Sequence, residues 1–206
     1  MLKILGRTNS SNVQKVLWAC DELELSYQRE DIGGDFGGNQ ELTYLAMNPN
    51  GLVPTMIDNG NVLWESNAIV RYLAARHGTG TLCPADPRAR ADADRWMTWQ
   101  AATVGPNMRE IGIRLVRTPP EARDPEAATP LIEIASAHWA ILNDQLADRD
   151  FVTGATLTMG DIPMGTYALR WFSFPIERPS LPRLEAWHER LKDRPAYQDH
   201  VIMPLT

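Results

Sequence analysis

Residues 50–69, Asn-Gly-Leu-Val-Pro-Thr-Met-Ile-Asp-Asn-Gly-Asn-Val-Leu-Trp-Glu-Ser-Asn-Ala-Ile, constrain this chain more than any other stretch. Val53-Pro54 opens a strand-like run, Thr55 to Asp58. Asn59-Gly60 follows, then a second run, Val62 to Trp64. Asn-Gly between apolar runs signals a hairpin, because a type I′ turn needs positive φ at both central residues. Pro54 cannot donate to a ladder, so it implies an edge, a bulge or a tight turn with a cis bond. Glu65-Ser66 then stands at the mouth of an apolar-periodic helix, beside free N–H groups and the positive end of the helix dipole. Such a corner offers a backbone edge, an anion-friendly helix end and a carboxylate, which suits a small zwitterionic peptide.

Around this corner the chain reads as alternating strands and helices. Leu2 to Gly6 is a short strand, Asn12 to Leu25 a helix with Val13, Val16, Leu17 and Cys20 on one face, and Ser26 to Ile32 a second strand. Gly33-Gly34 and Gly37-Gly38 mark a loop, and a short helix is expected over Asn39 to Ala46. After the hairpin, Ser66 to His77 is a helix, with Gly78 where a C-terminal cap belongs and His77 favourably placed at the helix C-terminus. The order β-α-β-α-β-β-α, with parallel neighbours and a closing antiparallel hairpin, is the thioredoxin-like layout of an α/β domain. Residues 79–88 read as a linker. Beyond it only helical patterns appear, roughly Ala89 to Arg117, Pro130 to Asp148, Met159 to Phe172 and Leu181 to Lys192. The expected division is therefore 1–78, a linker at 79–88, and an all-α helical bundle over 89–206. Thr158-Met159-Gly160-Asp161 fits a capping box, Thr158 accepting from the Asp161 N–H while Asp161 reaches back. Leu157 and Ile162 take staple positions, and Pro163 removes a helix N–H one turn in.

The motif resembles the glutathione-binding half of the glutathione transferases, whose pattern reads Asn-Pro-x-Gly-x-Val-Pro, a hairpin, then Glu-Ser and a helix. Here it is Asn48-Pro49-Asn50-Gly51-Leu52-Val53-Pro54, then Glu65-Ser66-Asn67-Ala68-Ile69. A β/α domain followed by a larger helical one is what the family predicts, so the resemblance spans essentially the whole chain. It implies glutathione as co-substrate and a homodimer, with the β/α domain of one chain against the α domain of the other. It also implies that Val53 offers its backbone to the cysteinyl part and that Pro54 is cis. Glu65 and Ser66 would hold the γ-glutamyl end. Leu52 stands where some classes carry glutamine. Asn39 and Gln40 stand where a lysine often awaits the glycine carboxylate, which points to weaker glutathione affinity unless Arg7 substitutes.

Glutathione reacts as a thiolate, and a free thiol has a pKa near 8.5. A donated hydroxyl and a helix N-terminus can lower that value by about one to two units. The segment so placed is Asn9-Ser10-Ser11-Asn12-Val13-Gln14-Lys15. It resembles the serine-type members, above all the zeta class, with likeness to the phi and theta classes. The zeta spacing to a basic residue matches Ser10 and Lys15; the delta and theta spacing selects Ser11. Ser10 is therefore the first candidate, Ser11 the second and Asn12 a supporting donor. Each could instead simply cap the helix. No tyrosine precedes Tyr27, so the tyrosine-type mechanism does not apply.

The second substrate is expected between the domains, with Trp96, Trp99, Met108, Arg109 and Trp171 as candidates and the core as their alternative place. Cys20, on the apolar face of the first helix, reads as an inert buried thiol. Cys83 is expected to be exposed in the linker. Two distant cysteines without a Cys-x-x-Cys, together with a start lacking a signal-peptide pattern, fit a reducing cytoplasm. A net charge of −6 argues against a nucleic-acid partner, no apolar run suggests a membrane span, and four histidines without metal spacing suggest no metal. The activity implied is thiolate attack on a small electrophile, as in EC 2.5.1.18-type transferases and detoxification. Alternatives are a glutathione-dependent disulfide-bond reductase or peroxidase, and a non-catalytic binding protein on the same scaffold.

Overall fold

A computed structural model describes residues 1–124 and 126–205. The β/α part opens with β1 (Leu2–Leu5), α1 (Ser11–Glu22), β2 (Tyr27–Glu30) and the single turn α2 (Leu42–Leu45). It closes with β3 (Thr55–Asp58), β4 (Asn61–Trp64) and α3 (Ser66–His77). The sheet order is β2-β1-β3-β4. β1 runs parallel to β2, with Leu2 opposite Tyr27, and antiparallel to β3, with Leu2 opposite Asp58. The expectation of parallel neighbours therefore holds for β1 and β2 only. Asn59 (φ 49°) and Gly60 (φ 87°) make the expected hairpin turn, and the Val53–Pro54 bond is cis.

Boundaries differ where side chains outside the periodic pattern intervene. Helix α1 ends at Glu22 rather than Leu25, because Glu24 turns left-handed (φ 53°) and Leu25 N–H returns to Cys20 O at 2.9 Å. Helix α2 does not reach back to Asn39. The Asn39 and Gln40 amides both donate to Gly51 O, the latter at 3.2 Å, and so tie that stretch to the loop before Val53. Gly78 closes α3 with φ −123°, so it is not a left-handed cap; its N–H bonds Ala74 O at 2.9 Å.

Cys83 is buried, which corrects its expected exposure. The segment after α3 folds back on itself through Gly80 N–H to Cys83 O and Cys83 N–H to Gly78 O, both 2.8 Å. Met159 N–H then bonds Leu82 O at 2.7 Å and seats the segment against the helical part.

That part holds α4 (Pro87–Trp99), α5 (Gly105–Gly112), α6 (Thr129–Gln145), α7 (Asp161–Ser173), α8 (Pro182–Lys192) and α9 (Pro195–His200). Asp86 caps α4, accepting from Ala89 N–H at 2.8 Å. The helix expected over Ala89 to Arg117 is interrupted by widened π turns at Gln100–Val104 and Ile113–Arg117. The first lies just before Pro106, which has no N–H to give the preceding turn. Helix α9 was not foreseen. Tyr197, fully buried, meets Trp18 edge-on at 4.8 Å, and Arg194 pairs with Glu22, so α9 and α1 clamp the two parts together.

The capping box takes a different form from the one expected. Asp161 does reach back, accepting from Thr158 N–H at 2.9 Å. The Thr158 hydroxyl, however, donates to the same carboxylate at 3.2 Å instead of accepting from Asp161 N–H, which bonds the Thr158 carbonyl. Asp161 also accepts from Val152 N–H at 2.8 Å and Trp187 Nε1–H at 3.0 Å. Burial pushes this carboxyl up to about 6, although all four donors pull the other way.

Candidate functional site

A cavity of about 540 Å³ opens where the loop after β1, the start of α1 and the turn before β3 face α5 and α7. Ser10, Ser11 and Asn12 all line it. Ser10 is the N-cap of α1 by position, with extended backbone, yet its hydroxyl makes no capping bond. Neither serine hydroxyl bonds any other described residue, so both remain available at a helix start whose first N–H groups are unpaired. Simple helix capping does not account for Ser10.

Asn12 is fixed differently. Its Oδ1 accepts from Lys15 Nζ at 3.1 Å and from Ser66 Oγ at 3.3 Å. With the oxygen held by two donors, the NH2 edge is the one left to the cavity. Lys15 also donates to Gln100 Oε1 at 3.0 Å, and Gln100 accepts from Asn67 Nδ2 at 3.2 Å. A polar seam thus runs behind the cavity wall from the start of α1, through the start of α3, to the π turn after α4. Lys15 is 2% exposed and has no ion pair among the described residues. Burial lowers its ammonium from 10.5 to about 7; Glu65 partly offsets that and Arg170 adds to it. Its Nζ lies 5.1 Å from the centre of the Tyr167 ring.

Across from the serines, Leu52 and Val53 line the cavity. The main-chain N–H and C=O of Val53 bond no other described residue, while those around them are held. Gly51 N–H bonds Asn48 O at 3.0 Å, and Leu52 O takes the Tyr44 hydroxyl at 2.7 Å and Asn48 Nδ2 at 2.8 Å. A rigid loop therefore presents one free donor–acceptor pair. Pro54 is buried behind it, and Asn39 reaches the cavity but Gln40 does not.

Glu65 and Ser66 are not on the cavity wall itself. Ser66 is buried and reaches the wall through Asn12. Glu65 is exposed and left-handed (φ 72°), a conformation uncommon for a residue with Cβ and a frequent mark of functional loops.

The second-substrate candidates divide. Met108 and Arg109 line the cavity. Trp96, Trp99 and Trp171 do not. Trp99 packs edge-on against Trp96 at 5.3 Å and His138 at 5.6 Å, and Trp171 is fully buried 6.2 Å from Trp139. Sequence reading missed Arg170, Tyr167 and Gln100, which no local pattern marks. Lys15 carried a signal: a lysine between Val13 and Val16 on the buried stretch of α1. Cys20 is fully buried, and its thiol is pushed up to about 12 by burial and then by Asp21, so it is no nucleophile. Among the described residues, no group of three His, Cys, Asp or Glu could hold a metal, and no helix is long and apolar enough to cross a membrane.

The family described as "Glutathione S-transferase, N-terminal domain" matches residues 9–76. Glutathione S-transferase GstB of Escherichia coli is 40% identical over the full length of both chains. Disulfide-bond oxidoreductase YfcG of the same organism is 26% identical over 90% of this chain and 87% of its own. Among solved structures, the theta class glutathione S-transferase of Xanthomonas axonopodis pv. citri with glutathione bound superposes with TM-score 0.95. It is 45% identical and is matched over 100% of this chain and 99% of its own.

Proposed function

The chain belongs to the glutathione transferase family, and from that footing we propose that it activates the thiol of glutathione with a Ser/Asn cluster and transfers the sulfur to a small electrophile. The observation that carries this is the pairing of two unpartnered hydroxyls, Ser10 and Ser11, with the unpartnered N–H and C=O of Val53 in one cavity. A tripeptide bound along Val53 as an added strand presents its cysteinyl sulfur to the start of α1. There a serine hydroxyl donates to the sulfur, the Asn12 NH2 supports it, and the N–H groups and dipole of α1 favour the anion. The N–H groups at the α3 start, that of Ser66 among them, take the γ-glutamyl carboxylate, and Glu65 takes its ammonium. Asn39 is left to meet the glycine carboxylate, and with one N–H already on Gly51 O it does so weakly.

A homodimer belongs to this reading. Exposed Leu52, Val62 and Trp64 on the β/α part, and Ile134 and Ile141 on α6, support it, and sizing by light scattering tests it. The reading is tested by alanine at Ser10 and at Ser11. One of the two is expected to lower turnover by about 10²-fold or more, as loss of a preorganised donor does. Full rates in both would remove the hydroxyl from the mechanism.

A disulfide-bond reductase is the second reading, supported by the likeness to YfcG. Both cysteines are buried, so the reducing sulfur would again be that of glutathione. A panel of electrophiles, peroxides and hydroxyethyl disulfide ranks the activities.

A further inference from the structure

Four arginines, Arg7, Arg109, Arg117 and Arg170, line the same cavity, and among the described residues no aspartate or glutamate does. This is notable in a chain of net charge −6. Arg7 comes from the loop after β1, Arg109 from α5, Arg117 from the end of the turns that follow it, and Arg170 from α7. Arg7 and Arg170 are half-buried, and neither guanidinium group has an ion pair or hydrogen bond with another described residue. Arg109 and Arg117 are more exposed, and Arg109 lies 3.8 Å from Glu110. The buried ammonium of Lys15 stands behind the same wall, against the Tyr167 ring that lines it.

Half-buried guanidinium groups without carboxylates repel one another and lose hydration, so an arrangement of this kind is completed by an anion. Burial holds Arg170 below its usual value; Tyr167 opposes that, while Arg117 and Arg7 press further the same way. The carboxylates of glutathione are assigned above to the α3 start and the Asn39 side. The charge of Arg170, and of Arg7 close enough to press on it, is then left for the second substrate. Gly34 leaves room for Arg7: a Cβ at this glycine, itself left-handed (φ 59°), would lie 2.6 Å from Arg7 Nε.

We propose that the second substrate is an anionic electrophile, whose carboxylate or sulfonate is bound by Arg7 and Arg170 with Arg109 and Arg117 at the rim. This rests on the transferase reading above. In the step, the glutathione thiol has lost its proton to solvent. The sulfur lone pair forms a C–S bond at the electrophilic carbon, and the carbon–halogen bond breaks with its electron pair, releasing halide.

The test uses two probes of matched shape, 4-chloro-3,5-dinitrobenzoate and 4-chloro-3,5-dinitrobenzamide. kcat/KM for each is divided by its uncatalysed rate with glutathione, and glutathione binding is measured by calorimetry. The normalised kcat/KM is expected to favour the carboxylate by about tenfold or more. Arg7→Gln and Arg170→Gln are each expected to cut that preference by a similar factor, with Arg→Lys restoring part of it. A measurement on the unaltered protein stands beside these: 3,5-dinitrobenzoate should compete with the amide probe and 3,5-dinitrobenzamide should not. Equal normalised rates for the two probes, with the amide turned over, overturn the anionic substrate and leave the transferase reading intact. Turnover of neither probe, with no glutathione binding, overturns both.

Discussion

Lys15 and Gln100, 85 residues apart in sequence, meet in the interior with Nζ 3.0 Å from Oε1. The contact joins the first helix of the β/α part to the π turn of the helical part, directly behind the cavity wall. It also places an ammonium in the core with two amide oxygens as acceptors and, among the described residues, no ion pair.

That placement makes stability depend on pH in a defined direction. Burial lowers Lys15 from 10.5 to about 7 in the folded chain. Between those values the unfolded chain binds more protons than the folded one, so stability rises with pH across the window. The full effect is on the order of a few kcal/mol. Urea midpoints at pH 7 and pH 9.5 check it. The gain on going to pH 9.5 should be clearly smaller in Lys15→Met than in the parent, and equal gains would contradict the account.

Asp161 organises the start of α7 with its whole carboxylate. Removing it in Asp161→Ala leaves Val152 N–H, Thr158 N–H and Trp187 Nε1–H buried without an acceptor. The expected cost is about 3–5 kcal/mol in denaturant unfolding. Asp161→Asn keeps one acceptor oxygen and should cost less. A loss below about 1 kcal/mol in the alanine variant would count against this role.

Tyr197 is the plug between α9, α1 and α7. Its ring meets Trp18 at 4.8 Å, and its hydroxyl donates to Gly165 O at 2.9 Å. Tyr197→Phe should cost about 1 kcal/mol. Tyr197→Ala should cost about 3–5 kcal/mol, with a shift in tryptophan emission as Trp18 gains solvent. Near-equal costs would mean that the ring does not anchor α9.

Local chemistry explains which parts of this architecture were readable. The hairpin, the cis proline and the Ser66 helix start depend on residues within a few positions of one another, and all three lie where the sequence puts them. Helix α9 has six residues, too few for a period to show, and exists through its packing on Trp18. Cys83 is buried because Met159, far along the chain, bonds Leu82. In the candidate site, Ser10, Ser11, Asn12 and Val53 were readable from motif spacing. Gln100, Tyr167 and Arg170 were not, since only the folded chain brings α7 and the π turn to the start of α1. Trp99 and Trp171 show the converse: aromatic residues in the right helices, one packed against the core and the other within it, and neither on the cavity.

The proposed chemistry depends on the ionisation of glutathione held at the start of α1. Titrating the ultraviolet thiolate band of the bound tripeptide measures this directly, in the parent chain and in Ser10→Ala and Ser11→Ala. The predicted result is a bound thiol about one to two units below the free value of about 8.5, with one of the two substitutions returning it most of the way. A bound thiol that titrates like the free one, or a lowering that survives both substitutions, would contradict it.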